Sequence, residues 1–240
     1  MYVGQTRSTR LIGRLQSLGW GEMTQPDEYP PRRLPWVLDN AAFKLWRAGL
    51  PFDGERFRRV AALAATEPRP DFVVCPDVVA GGMASLALSL QWAPELAAIG
   101  HRLALVVQDG MRPGDVAPHV AAFGVLFIGG TRAWKLRTAR AWSEFAHRHD
   151  MECHLGRAGA MDAIRVAREA DIDSGDSCLP LFSEDNLQRA IRALSEPIAM
   201  APALGLAVDS DSFTSRPRDA AGAIAPRFLS VRATQLGLFQ

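Results

Sequence analysis

A chain of 240 residues, 48% apolar and 22% charged, is long enough for one large domain with a buried core and too short for two of ordinary size. No window approaches the roughly 20 apolar residues of a membrane span, and the N-terminal MYVGQTRSTR lacks the apolar stretch of a signal peptide, so the expected location is the cytoplasm, with no membrane partner. A net charge of +1 excludes nucleic-acid binding through a global field and leaves only a local patch, while Cys75, Cys153 and Cys178 are too scattered for a CxxC zinc site or a disulfide framework.

Along the chain, Tyr2-Val3 reads as an early strand and Leu11 to Leu18 as a helix. Short apolar runs then recur between longer amphipathic stretches: Trp36-Val37-Leu38, Phe72-Val73-Val74-Cys75, Ala104-Leu105-Val106-Val107, Val125-Leu126-Phe127-Ile128 and Cys153-His154-Leu155. They read as buried parallel strands. Helical spacing separates them at Phe57 to Ala65, Ser85 to Ile99, Ala133 to His149 and Ala160 to Ala170, with a further helix from Glu184 to Leu194. A strand near Ile172-Asp173 brings the count to about seven, and Ile198 to Ala201 is a weak eighth.

A polar residue or glycine follows nearly every run: Asp39-Asn40, Pro76-Asp77, Gln108-Asp109-Gly110, Gly129-Gly130 and Gly156-Arg157. In an α/β barrel the strand C-termini converge on one face, so five such points would meet in one pocket. The expected fold is therefore α/β, a single (β/α)8 TIM-like barrel over residues 1–206 with an incomplete eighth unit; an open doubly wound sheet is the alternative. Residues 207–240 are polar and turn-rich and read as an irregular tail. Trp36, Trp46, Trp92 and Trp142 fall at core spacing, with Trp134 lining a groove, and His154 reads as a satisfied core histidine.

The segments LDNAAF (38–43), PDVVAG (76–81), VVQDG (106–110), FIGGTRAWKL (127–136), HLGRAG (154–159) and DIDSGDSC (171–178) resemble, in the same order, those of the guanine transglycosylases. The likeness covers residues 1–182. It is nearest to the phage and bacterial members that insert 7-deazaguanines into DNA. The resemblance implies a (β/α)8 barrel, no organic cofactor, and base exchange: an aspartate attacks the ribose C1′, guanine leaves, and the incoming base displaces the enzyme. A carboxylate suits a carbon with oxocarbenium character because it divides one hard displacement into two easier ones.

By that resemblance Asp176 is the nucleophile and Asp173 its rival, because Ser177 intervenes between Asp176 and Cys178. Asp39 is the acid/base, with Asn40 beside it in the substrate pocket. Asp77 reads the N1 and amino donors of the base, Gln108 supplies a donor for O6, and Gly129 and Gly130 bring backbone amides close to the ring. Thr131, Arg132 and Lys135, at the start of a helix, together with Arg157, are expected to grip the polynucleotide backbone.

No cysteine cluster follows Cys178, so the zinc site of the tRNA enzymes is not expected, and DNA is favoured over tRNA. The competing readings are a tRNA-specific transglycosylase, a barrel that binds nucleic acid or a partner without catalysing, and a phosphate-binding barrel acting on a metabolite. At the end of the chain, Gln235, Leu236, Leu238 and Phe239 resemble a short sliding-clamp-binding motif.

Overall fold

Period-two patterning decides which side chains enter the barrel. In β5 (Leu103–Val107), Leu103, Leu105 and Val107 join the outer core, while Ala104 and Val106 join a second cluster inside the ring. The same alternation divides β3 (Trp36–Leu38), where Val37 points inward, and β4 (Val73–Val74), where Val74 does. In β6 (Val125–Ile128) the inward residues are Val125 and Phe127. Successive side chains of a strand face opposite sides, so strands buried on both faces read as unbroken apolar runs.

The computed structural model describes residues 1–31 and 33–197. Eight parallel strands follow one another in chain order around one sheet, completed by β1 (Tyr2–Val3), β2 (Gly21–Thr24), β7 (Glu152–Leu155) and β8 (Ser174–Gly175). Between β8 and β1 the ring is joined by a bridge from Tyr2 to Asp176 and by Ser177 N donating to Tyr2 O at 3.0 Å. The fold is a (β/α)8 TIM-like barrel with an incomplete seam.

The outer layer comprises α1 (Thr9–Ser17), α2 (Ala42–Arg47), α3 (Gly54–Leu63), α4 (Met83–Ala98), the short α5 (Pro113–Val116), α6 (Arg132–Arg148), α7 (Met161–Glu169) and α8 (Glu184–Ser195). Ser8, Asp53, Thr131 and Ser183 cap α1, α3, α6 and α8 by accepting from backbone amides of the first turn. No helix among the described residues is long and apolar enough to cross a membrane.

Three expectations change. Gly21–Thr24 is a strand, so Asp39 follows the third strand, not the second. The last strand is Ser174–Gly175, with Ile172 packed in the outer core before it. The consecutive strand order and the Tyr2–Asp176 bridge replace the open-sheet alternative. Ile198 to Ala201, the domain limit at residue 206, the 207–240 tail and the Gln235 to Phe239 motif lie outside the described residues.

The tryptophans exchange places with expectation. Trp134 is buried, because α6 packs its first turns on the barrel, whereas Trp46 is 58% exposed on α2, which sits on top of the barrel.

Candidate active site

Strand parity continues past the strand ends and builds the site. Two residues beyond the inward Met23, Val37, Val106, Phe127, His154 and Ser174 stand Gln25, Asp39, Gln108, Gly129, Gly156 and Asp176. All six line one cavity of about 930 Å³ at the C-terminal mouth, floored by Met23, Val74, Val106 and Phe127. Asn40, Asp77, Gly130 and Arg157 complete its polar wall.

Asp176 Oδ1 accepts from Arg157 N at 3.0 Å and lies 3.2 Å from His154 Nε2. The other ring nitrogen, His154 Nδ1, is 2.8 Å from Ser174 Oγ. A carboxylate only accepts, so the ring proton belongs on Nε2 and the Ser174 hydroxyl donates to Nδ1. Burial lowers the His154 pKa, with Asp176 pulling the other way, and the ring stacks on Phe127 at 4.6 Å. His154 is thus buried as expected, yet it also holds the carboxylate in place.

Asp39 faces the same cavity and accepts from Gln25 Nε2 at 3.2 Å. Burial first, then the negative charges of Asp176 and Asp77, push its pKa up to about 7. Two carboxylates therefore share a cavity in different environments, one of them holding a proton near neutrality. Ala41 follows at φ 62°, the left-handed conformation that glycine takes without strain, so the backbone here keeps a glycine-like turn without the glycine.

Asp77 is held from both sides. Asn40 Nδ2 donates to Asp77 Oδ1 and to Cys75 O, both at 2.7 Å, while Asn40 Oδ1 accepts from Ala42 N at 2.8 Å. Both amide hydrogens of Asn40 are engaged in this clamp, which positions Asp77 beside the cavity that Asn40 also lines. Gln108 Nε2 donates to Asp77 Oδ2, and Gln108 Oε1 is buried without a hydrogen-bond partner. Burial raises the Asp77 pKa, opposed by Asn40, Gln108 and Arg157.

Gly129 and Gly130 both line the cavity, and each has a structural reason to be glycine. Gly129 N donates to Val107 O at 2.9 Å, so its amide belongs to the sheet. At Gly130, φ 76°, a Cβ would collide with Asp109 Oδ2 and come within 2.9 Å of Trp134. Both glycines make room for their own neighbours.

Thr131, Arg132 and Lys135, expected to grip the polynucleotide backbone, each bond to another group of the protein and do not line the cavity. The α6 N-terminus already seats an anion: Asp109 accepts from Thr131 N at 2.6 Å and from Thr131 Oγ1 at 2.5 Å. Partial burial opposes it, but these bonds hold the Asp109 pKa below the ordinary carboxylate value. Arg132 pairs with Asp162, and Lys135 is 2% exposed with its ammonium on Gly156 O. Only Arg157 remains in the cavity, its guanidinium 4.0 Å from the centre of the Phe43 ring and donating to Gly130 O at 2.8 Å.

Asp173 lies before β8, at the opposite end of the barrel from the cavity. Its Oδ2 accepts from Cys153 N at 2.7 Å and faces His147 Nε2 at 2.8 Å. The rival nucleophile is a structural tie. Asp173→Asn is expected to cost about 1–3 kcal/mol of stability while exchange stays within about twofold. Thermal melts and rate assays check this, and an inactive but fully stable variant would contradict the assignment.

The sequence, compared with protein-family models and with curated proteins, matches none of them. Gln25, Glu28, Phe43, Phe182 and the second role of His154 escape sequence reading. Gln25 was signalled by Gly21-Glu22-Met23-Thr24, but Glu22 and Thr24 are polar and face the helices, so no apolar run marks that strand. Among the described residues no cluster of three His, Cys, Asp or Glu side chains is placed to hold a metal ion.

Proposed function

We propose that the protein is a base-exchange transglycosylase that replaces guanine in a nucleic acid, DNA in preference to tRNA, with a 7-deazaguanine. The observation that carries the reading is the pair Asp39 and Asp176 in one cavity, with Asp39 shifted to about 7 and Asp176 held by His154 and Arg157 N.

An Asp176 oxygen forms a bond to C1′ as the C1′–N9 bond breaks, and Asp39 delivers its proton to the departing guanine. The incoming base attacks C1′ through N9, the ester bond to Asp176 breaks, and the N9 proton passes to Asp39, which restores the starting state. Asp77 accepts from the N1 and amino donors of the base, and the second Nε2 hydrogen of Gln108 faces O6. The buried Oε1 of Gln108 is an acceptor that a ligand donor can satisfy. The cavity has room for a purine with its sugar.

The rim supports a single-stranded or extruded substrate. Of the eight exposed large apolar side chains among the described residues, only Leu63 lies away from this end of the barrel. Trp46 stacks on Phe43, and Phe182, 73% exposed, stands on the β8 side of the mouth. Arg47 also lines the cavity and forms no ion pair with a carboxylate among the described residues. Aromatic faces and unpaired arginine suit unstacked bases and phosphate.

Trp46→Ala and Phe182→Ala are each expected to weaken binding of a single-stranded oligonucleotide about tenfold, the worth of one base on an aromatic face. Arg47→Ala should lower the salt dependence of binding by about one counterion. Unchanged affinities, or equal exchange rates on rigid duplex and single strands, would count against this path. The reading itself is tested by supplying a 7-deazaguanine to guanine-labelled DNA and tRNA: release of label from DNA is expected, and release from neither contradicts it.

A further inference from the structure

The ammonium of Lys135, on the first turn of α6, is sealed from solvent and donates to the carbonyl oxygen of Gly156. In a planar trans peptide the C=O and the following N–H point in opposite directions. The N–H opposite the Gly156 carbonyl is that of Arg157, and it donates to Asp176 Oδ1 at 3.0 Å. One peptide group therefore joins a buried cation on one side to the cavity carboxylate on the other.

We propose that Lys135 is a positioning residue for Asp176, fixing through the Gly156 carbonyl the peptide whose N–H aims at the nucleophilic carboxylate. The assignment rests on the transglycosylase reading for the word nucleophilic, and on geometry alone for the rest. Arg157 sits at φ 53°, a conformation that costs a residue with a side chain, so something must hold the turn there. Lys135 does so from below, and the hydrogen bond from the Arg157 guanidinium to Gly130 O does so from above. A hydrogen bond to the carbonyl also polarises the amide and strengthens its N–H as a donor.

Burying an ammonium is expensive, and an apolar side chain would fill the site at lower cost if packing were its only duty. The groups facing it are Arg132 on its own helix, Arg157 and His154 on β7 and the following loop, and Asp176 beyond β8. Burial, with Arg157 and Arg132, lowers the Lys135 pKa to about 8, against the pull of Asp176. The ammonium is still charged at pH 7, and its field favours the ionised carboxylate.

The test uses Lys135→Met, which keeps the volume without the charge, and Lys135→Gln, which keeps a donor for the Gly156 carbonyl. Proton–nitrogen NMR of the Arg157 amide needs no catalysis. Its resonance is expected to shift in Lys135→Met, which leaves the Gly156 carbonyl without its donor, and less in Lys135→Gln, and a resonance unmoved in both overturns the proposal. In exchange assays on a single-stranded oligonucleotide, kcat should fall about tenfold in Lys135→Met and less in Lys135→Gln, with KM unmoved. A raised KM and a shallower salt dependence at unchanged kcat would return Lys135 to a phosphate-binding role and overturn the proposal. If the wild-type protein exchanges no base, the transglycosylase reading fails, while the Arg157 amide resonance still decides the positioning role.

Discussion

Asp176→Asn is expected to abolish the proposed base exchange, with a loss on the order of 10⁴-fold or more, and to leave the barrel folded. The loss is large because an amide oxygen cannot form the ester to C1′ that divides the displacement into two steps. The fold survives because Asn still accepts from Arg157 N, and no buried volume is removed. Single-turnover rates and a thermal melt on the same preparation check both halves. A variant that retains exchange would remove Asp176 from the chemistry, and one that fails to fold would make it a structural residue.

The second large effect belongs to Asp39. With its pKa pushed to about 7 by burial and by the charges of Asp176 and Asp77, it holds a proton below that pH, which in the proposed exchange goes to the departing guanine, and loses it above. Exchange should therefore decline on the alkaline side with a midpoint near 7. Asp39→Asn should lower the rate about 10²- to 10⁴-fold and erase that alkaline limb.

The same shift bears on stability, with a definite sign. A carboxyl that binds its proton more tightly folded than unfolded contributes most below its unfolded pKa of about 3.8, and the contribution is lost as pH rises through about 7. Ionised Asp39 thus burdens the native state at pH 8. Asp39→Asn should gain on the wild type from pH 4 to 7 and level off beyond, by at most about 4 kcal/mol at about 1.4 per unit, less as water screens the cavity. Urea unfolding at pH 5 and pH 8.5 measures the difference, and equal stabilities at both would contradict the shift.

The barrel was legible in the sequence because strands buried on both faces leave apolar runs, and because a polar residue or glycine closes each one. Asp39, Asp77 and Gln108 could be singled out for that reason, Asp176 only through the family resemblance of DIDSGDSC, and all four do share a cavity. β2 was not legible, since Glu22 and Thr24 are buried and polar. Nor could sequence reveal that Asp109 already occupies the α6 N-terminus, or that Lys135 turns inward to Gly156, because both depend on which loop lies opposite. Asp176 and its rival Asp173 lie close together in DIDSGDSC, yet the strand Ser174–Gly175 runs between them, so Asp176 lines the cavity and Asp173 ties to Cys153 N outside it.

The most direct test of the account is to trap the covalent intermediate. The protein is incubated with a guanine-containing single strand without incoming base, denatured, digested and weighed by mass spectrometry. A nucleic-acid adduct is expected on the peptide bearing Asp176, lost in Asp176→Asn and kept in Asp173→Asn; an adduct elsewhere, or exchange that proceeds with none, overturns the proposed mechanism.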